Sequence, residues 1–236
     1  MRQTISMSGG NPIYAKGTGS STQLTATVNG TVGNDAVAWT SGNTNIAKVS
    51  GGKVTGVGAG TVTITATSNG VSTSKSIQVK EPTIKLDRET ANIYPPATKT
   101  VTFTVTVNGV QGNSGVTWTS GNTKVATVSN GKVTAVGKGT ATITAKANGK
   151  LAKAKVTVKD PYANVSPTSG TIKVGKTLQL TTNYAPASTG TPSYSSSNKK
   201  VATVDSKGVV KGVKAGTATI IVKVNGVTAK AEITVK

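Results

Sequence analysis

The chain has 236 residues, a formal net charge of +20, no cysteine and no histidine, and aromatic residues make up only 3% of it. That composition excludes disulfide support, thiolate nucleophiles and imidazole acid–base catalysis, and it scatters the seven carboxylates Asp35, Glu81, Asp87, Glu89, Asp160, Asp205 and Glu232 along the chain. Of the 27 basic residues only Arg2 and Arg88 are arginine, which leaves 25 lysines, an excess that bears on partners rather than on fold.

Residues 1–21 carry a poorly formed first strand and are expected to be an attachment segment ahead of the first regular unit. They also lack the apolar stretch of an export signal, and no segment of the chain approaches the length of a membrane-crossing helix. The expectation drawn is assembly in a host cytoplasm, with no membrane insertion.

From residue 38 to 66 the chain reads AWTSGNTNIAKVSGGKVTGVGAGTVTITA, and residues 117–145 return it almost letter for letter. A looser copy starts at Ser193. Trp39 to Trp118 is a step of 79 and Trp118 to Tyr194 a step of 76, so one unit tiles the chain three times. Alternation of β-branched or apolar residues with Thr, as in VTFTVTV at 101–107 and TATITA at 140–145, has the period of half-buried strands. Asn69-Gly70, Asn148-Gly149 and Asn225-Gly226 each separate two such runs, and both residues accept the positive φ of a tight hairpin turn. Asn29-Gly30 and Asn108-Gly109 close an earlier strand in the first two units, where the third has the longer loop 182–192. Proline after an acidic residue, at Glu81-Pro82 and Asp160-Pro161, ends the strand pattern and sets the boundaries 1–80, 81–159 and 160–236. Short strands with turns every 8 to 12 residues predict an all-β chain of three tandem antiparallel sandwiches. Linkers this short make the array an elongated rod.

Trp39, Trp118 and Tyr194 hold one fixed place in the repeat and are expected in the sandwich cores. Tyr14, Tyr94, Tyr162 and Tyr184 fall in strand-poor or proline-bearing segments near module ends, where a glycan or protein contact is expected. In residues 150–159, KLAKAKVTVK, the lysines Lys153, Lys155 and Lys159 alternate with core residues, and with Lys150 they form a positive stripe. Two readings stand: lysine guarding an exposed strand against edge-to-edge association, or attraction to an anionic surface. Glu81, Asp87 and Glu89 read as solvated carboxylates balancing Lys85 and Arg88, since a calcium site needs more ligands than they supply. Scarce arginine, and aromatics not interleaved with the lysines, argue against specific nucleic-acid binding.

Residues 195–235, SSSNKKVATVDSKGVVKGVKAGTATIIVKVNGVTAKAEITV, resemble the bacterial immunoglobulin-like domain, group 2, through a W-x-S-x-[ND] opening, a V-A-x-V centre and a G-T-A-x-I strand. The same landmarks recur at Trp39, Ala47, Val49, Gly60, Thr61 and Ile64, and at Trp118, Ala126, Val128, Gly139, Thr140 and Ile143. Tyr194 stands in the third unit where the family usually has Trp. The resemblance implies Ig-like folds with no catalytic residues, cofactor or metal. It also implies use as spacers and weak glycan-binding modules, as in intimin- and invasin-type adhesins and in the decoration proteins and fibres of tailed-phage capsids and tails. The leading expectation is a virion protein docked to capsid or tail partners through residues 1–21 or its first module, with anionic host polysaccharide as a further partner through Lys150, Lys153, Lys155, Lys159 and Tyr184. The alternative is part of a bacterial cell-surface adhesin or cell-wall protein.

Overall fold

The computed structural model describes residues 3–33 and 36–236, and every regular element among them is a β-strand. In the first module Ile5–Gly9 pairs antiparallel with Ser21–Val28, which also pairs with Lys53–Gly56, and that strand with Ala47–Ser50. The facing sheet runs in the order Ile13–Tyr14, Val71–Lys80, Gly60–Ser68, Ala38–Ser41. Between the sheets lies a core that includes Leu24, Val54, Ile64 and Ile77. The second and third modules repeat the plan around separate cores, so the chain has three hydrophobic interiors.

The opening strand of each module changes sheets. Its first half is antiparallel in one sheet, and its second half lies parallel to the module's last strand in the other: Ile13 opposite Val79, Ile93 opposite Val158, Ile172 opposite Val235. This corrects the expectation for residues 1–21. From Gln3 on, the segment is part of the first sandwich, with Ile13 and Ala15 buried, and only Met1 and Arg2 of it lie outside the described residues. The signal is weak because Gly9 and Gly10, both at positive φ, fall where the chain crosses between sheets and divide one strand into two short runs.

The long hairpins follow the Asn-Gly pairs as predicted. Ser68 faces Val71, Ala147 faces Lys150 and Val224 faces Val227, with positive φ at both residues of each intervening turn. A side chain at φ > 0 strains the backbone unless it is Gly or Asn, so the pair fixes both turn and register.

The strand running through Leu24 in the first module is broken in the other two, between Thr100–Thr102 and Val105–Val107 and between Thr177–Gln179 and Thr181–Ala185. Leu24, Phe103 and Leu180 occupy equivalent places: each N–H donates to a glycine carbonyl, of Gly52, Gly131 and Gly208 in turn, and each side chain is fully buried. These residues fill the core centres. Trp39, Trp118 and Tyr194 pack against the same cores but are only half-buried. The indole N–H groups of Trp39 and Trp118 are buried without a partner, whereas the Tyr194 hydroxyl is 2.9 Å from Thr182 Oγ1.

Candidate interaction surfaces and the joints between modules

The lysine stripe lies on the four-stranded sheet of the second module, ordered Thr90–Ile93, Lys150–Val158, Gly139–Ala147, Thr117–Ser120. Alternation buries Ala154, Val156 and Val158 and exposes Lys153 and Lys155. Lys155 sits opposite Thr142 and Lys153 opposite Thr144, while Lys146, next along that neighbouring strand, is opposite Leu151. Three ammonium groups therefore share one outward face with threonines and the exposed Leu151. None of them takes part in an ion pair among the described residues. Lys155 to Val158 is covered by the parallel strand Thr90–Ile93, so Lys155 belongs to an interior strand and edge protection does not account for it.

The remaining expected site residues go elsewhere. Lys150 pairs with Glu81 of the first linker at 2.9 Å. Lys159 is exposed at the second linker, its N–H donating to the Ile93 carbonyl. Tyr184 is half-buried at the leading pole of the third module. The five residues thus form no single site. Lys146 was the missed member, although its alternation with Ala145 and Ala147 puts it on the face of Thr142 and Thr144.

The acidic residues near the first linker do not converge. Asp87 Oδ2 accepts from Arg88 at 2.8 Å and Oδ1 accepts from the Thr104 N–H at 3.0 Å, while Glu81 pairs with Lys150. Burial works to raise the Asp87 pKa, but the Arg88 and Thr104 hydrogen bonds and the Arg88 charge outweigh it and hold the carboxyl below its ordinary value. Arg88 also donates to the Thr102 carbonyl and lies 5.4 Å from the Phe103 ring centroid, so the pair closes the break in the strand beside Phe103.

The two joints differ in chemistry. At the first, Asn108 is 6% exposed; its Nδ2 donates to the carbonyls of Lys16 at 2.8 Å and Thr18 at 3.0 Å in the preceding module. Its Oδ1 accepts from the Thr83 N–H at 2.9 Å, so the amide is used on both sides. Contact is close: a Cβ on Gly17, which has φ +80°, would stand 2.1 Å from Asn148 Nδ2. At the second joint the place of Asn108 is taken by Ala185, followed by cis-Pro186, and neither side chain can donate. A cleft of about 550 Å³ separates the modules there, lined by Asn92, Tyr94, Thr98 and Thr100 on one side and by Tyr184, Pro186 and Ser188 on the other. An ion pair there, Lys138 to Asp160 at 2.5 Å, is solvent-exposed. The joints engage opposite ends of the second module's strands, so the modules stand end to end.

An array of two-sheet Ig-like sandwiches stacked pole to pole, with its charge on outer sheet faces, defines the class: a tandem Ig-like protein. The chain belongs to the bacterial Ig-like domain (group 2) family, whose model matches residues 3–79, 83–158 and 162–235. Ice-binding protein 1 of Shewanella frigidimarina (strain NCIMB 400) is 30% identical over 231 residues, 89% of this chain and 26% of that protein. A 3-O-alpha-D-galactosyl-alpha-L-arabinofuranosidase of Bifidobacterium longum subsp. longum is 55% identical over 51 residues, 21% of this chain and 4% of that enzyme. The chain thus spans about a quarter or less of these relatives. Among solved structures, the three N-terminal domains of the bacteriophage RB49 Highly Immunogenic Outer Capsid protein match 99% of this chain and 98% of theirs, at 11% identity and a TM-score of 0.41. Domains 1–6 of the surface layer protein SbsC match 98% of this chain and 40% of theirs, at 21% identity and a TM-score of 0.36.

Proposed function

We propose that this chain is a non-enzymatic projecting arm of a tailed-phage particle, a capsid decoration or fibre protein, whose second module holds weakly to anionic polymer on the host surface. The observation that carries the reading is the outward face of Lys146, Lys153 and Lys155 on a rigid sheet in an end-to-end stack. Three ammonium groups that form no ion pair among the described residues attract polyanions over about a screening length, roughly 8 Å at physiological ionic strength, and without a shaped pocket that attraction is weak and salt-sensitive. The first module supplies the attachment to the particle. A second reading, part of a longer bacterial surface protein, is favoured by the 30% identity to a bacterial protein of which this chain spans 26%.

Retention of the full chain on purified host envelope polymer tests the binding. It is expected at low salt, lost towards physiological salt, and reduced several-fold by the combined change Lys146→Gln, Lys153→Gln, Lys155→Gln. Retention that ignores salt or the triple change overturns the electrostatic account. Immunogold labelling that decorates particles supports the virion, and labelling confined to the bacterial wall supports the second reading.

A further inference from the structure

The leading pole of the first module repeats the backbone plan of the surface with which the second module grips the first, though Thr31, Val32 and Ala36 stand where the second has Val110, Gln111 and Gly115. Asn29 N–H donates to the Thr4 carbonyl and Asn29 Oδ1 accepts from the Thr4 N–H at 3.0 Å, as Asn108 does with Thr83. Gly33 N–H bonds the Ala26 carbonyl just as Gly112 N–H bonds that of Val105. A hollow behind Asn29, about 340 Å³ and lined by Val28, Thr31, Val32, Gly33, Ala36 and Val37, stands where the second module has one walled by Val107, Val110, Gln111 and Gly112 and closed by Gly17 and Thr18 of the preceding module. The amides of the two poles differ in what they meet. Asn108 Nδ2 is satisfied by the turn of the preceding module, whereas Asn29 is exposed and its Nδ2 has no partner among the described residues. Val32 beside it is 68% exposed.

We infer that this pole is a docking socket for a further Ig-like module joined ahead of it, which presents two backbone carbonyls of a glycine turn of the Lys16–Thr18 kind. Asn29 is already held by Thr4 with its amide N–H groups aimed outwards, so little ordering cost attends docking. A linked module is the fitting occupant. The contact at the first joint includes two amide hydrogen bonds and the close approach of Gly17 to Asn148, too little for a free partner but enough for one held at the millimolar effective concentration of a short linker.

The test grafts residues 3–82 directly ahead of Thr4 of the full chain, which places the new linker in the register of the native one. Because the chain has no cysteine, spin labels can be attached at single introduced cysteines, at the exposed Ser76 of both copies of the first module for the new joint, and at Ser76 and Lys155 for the native one. The expected result is a distance distribution across the new joint as narrow as across the native first joint. Asn29→Ala in the copy behind the graft is expected to raise the open population about tenfold, as two lost hydrogen bonds would, and Asn108→Ala to do the same at the native joint. In the ungrafted chain Asn29→Ala should lower the melting temperature only modestly, since it removes the bond from the Thr4 N–H and strains a turn residue at φ +48° but breaks no contact between modules. A broad distribution at the new joint whatever stands at residue 29 overturns the proposal. So does concentration-dependent self-association of the ungrafted chain that Asn29→Ala abolishes, which would seat a second copy in the socket instead.

Discussion

Phe103 is the one phenylalanine of the chain, and it stands where the other modules have Leu24 and Leu180. Its repeat position is therefore built for a branched aliphatic side chain, and the extra ring is matched by Arg88 lying over it, an arrangement neither of the other modules has. Phe103→Leu is expected to cost about 1 kcal/mol and Phe103→Ala about 3–5 kcal/mol, measured by urea unfolding. The neighbouring carboxyl carries a pH dependence. Asp87 has its folded pKa depressed, so its contribution is present above the unfolded value and is lost as pH falls through the lower folded one. Asp87→Asn should accordingly be less stable than the parent at pH 7, with the difference shrinking below about pH 4, the ordinary aspartate range. A difference that stays constant down to pH 2 would show that Asp87 acts by shape alone. Neither residue's place was legible beforehand: a lone Phe among Thr and Val reads as one more strand residue, and the Asp87–Arg88 pair matters only because the strand opposite is broken.

At the scale of elements, what the sequence disclosed and what it hid have separate physical causes. Hairpins, sandwich order and family were legible because Asn-Gly turns and period-two alternation are local, and the threefold repeat shows each signal again. The sheet switch of the opening strand was not. It depends on a parallel pairing between residues some 66 apart, Ile13 with Val79, and no local rule announces it. The lysine face was half legible: the parity of Lys153 and Lys155 was visible along one strand, but the alignment of Lys146 beside them is set by a cross-strand register. The hairpins themselves allow a clean test. Gly226 has φ +78° and open space where a Cβ would stand, so Gly226→Ala isolates the backbone term. A loss of about 1–2 kcal/mol is expected from the positive φ alone, with no steric part. Gly17→Ala should do more harm, because its Cβ also strikes Asn148 across the first joint.

For the whole molecule, stiffness is distributed unevenly, and one position in the repeat decides where. The first joint has Asn108 bonding both modules and the second has Ala185 in its place, so the chain is expected to behave as a stiff pair of modules followed by a third on a looser joint. An exposed ion pair such as Lys138 with Asp160 adds about 0–1 kcal/mol and does not change that. The positive face lies on the second module, on the side of the joint that Asn108 bonds, while the tyrosine-lined cleft lies at the joint that lacks that amide. Small-angle scattering and label-to-label distances on the full chain should give a narrow distribution between the first and second modules and a broad one between the second and third. Asn108→Ala is expected to broaden the first distribution to resemble the second while leaving the second unchanged, since the amide it removes touches nothing beyond the first joint. Equal widths at both joints in the parent chain would mean that the two hydrogen bonds of Asn108 do not limit the motion, and that the short linkers alone set it.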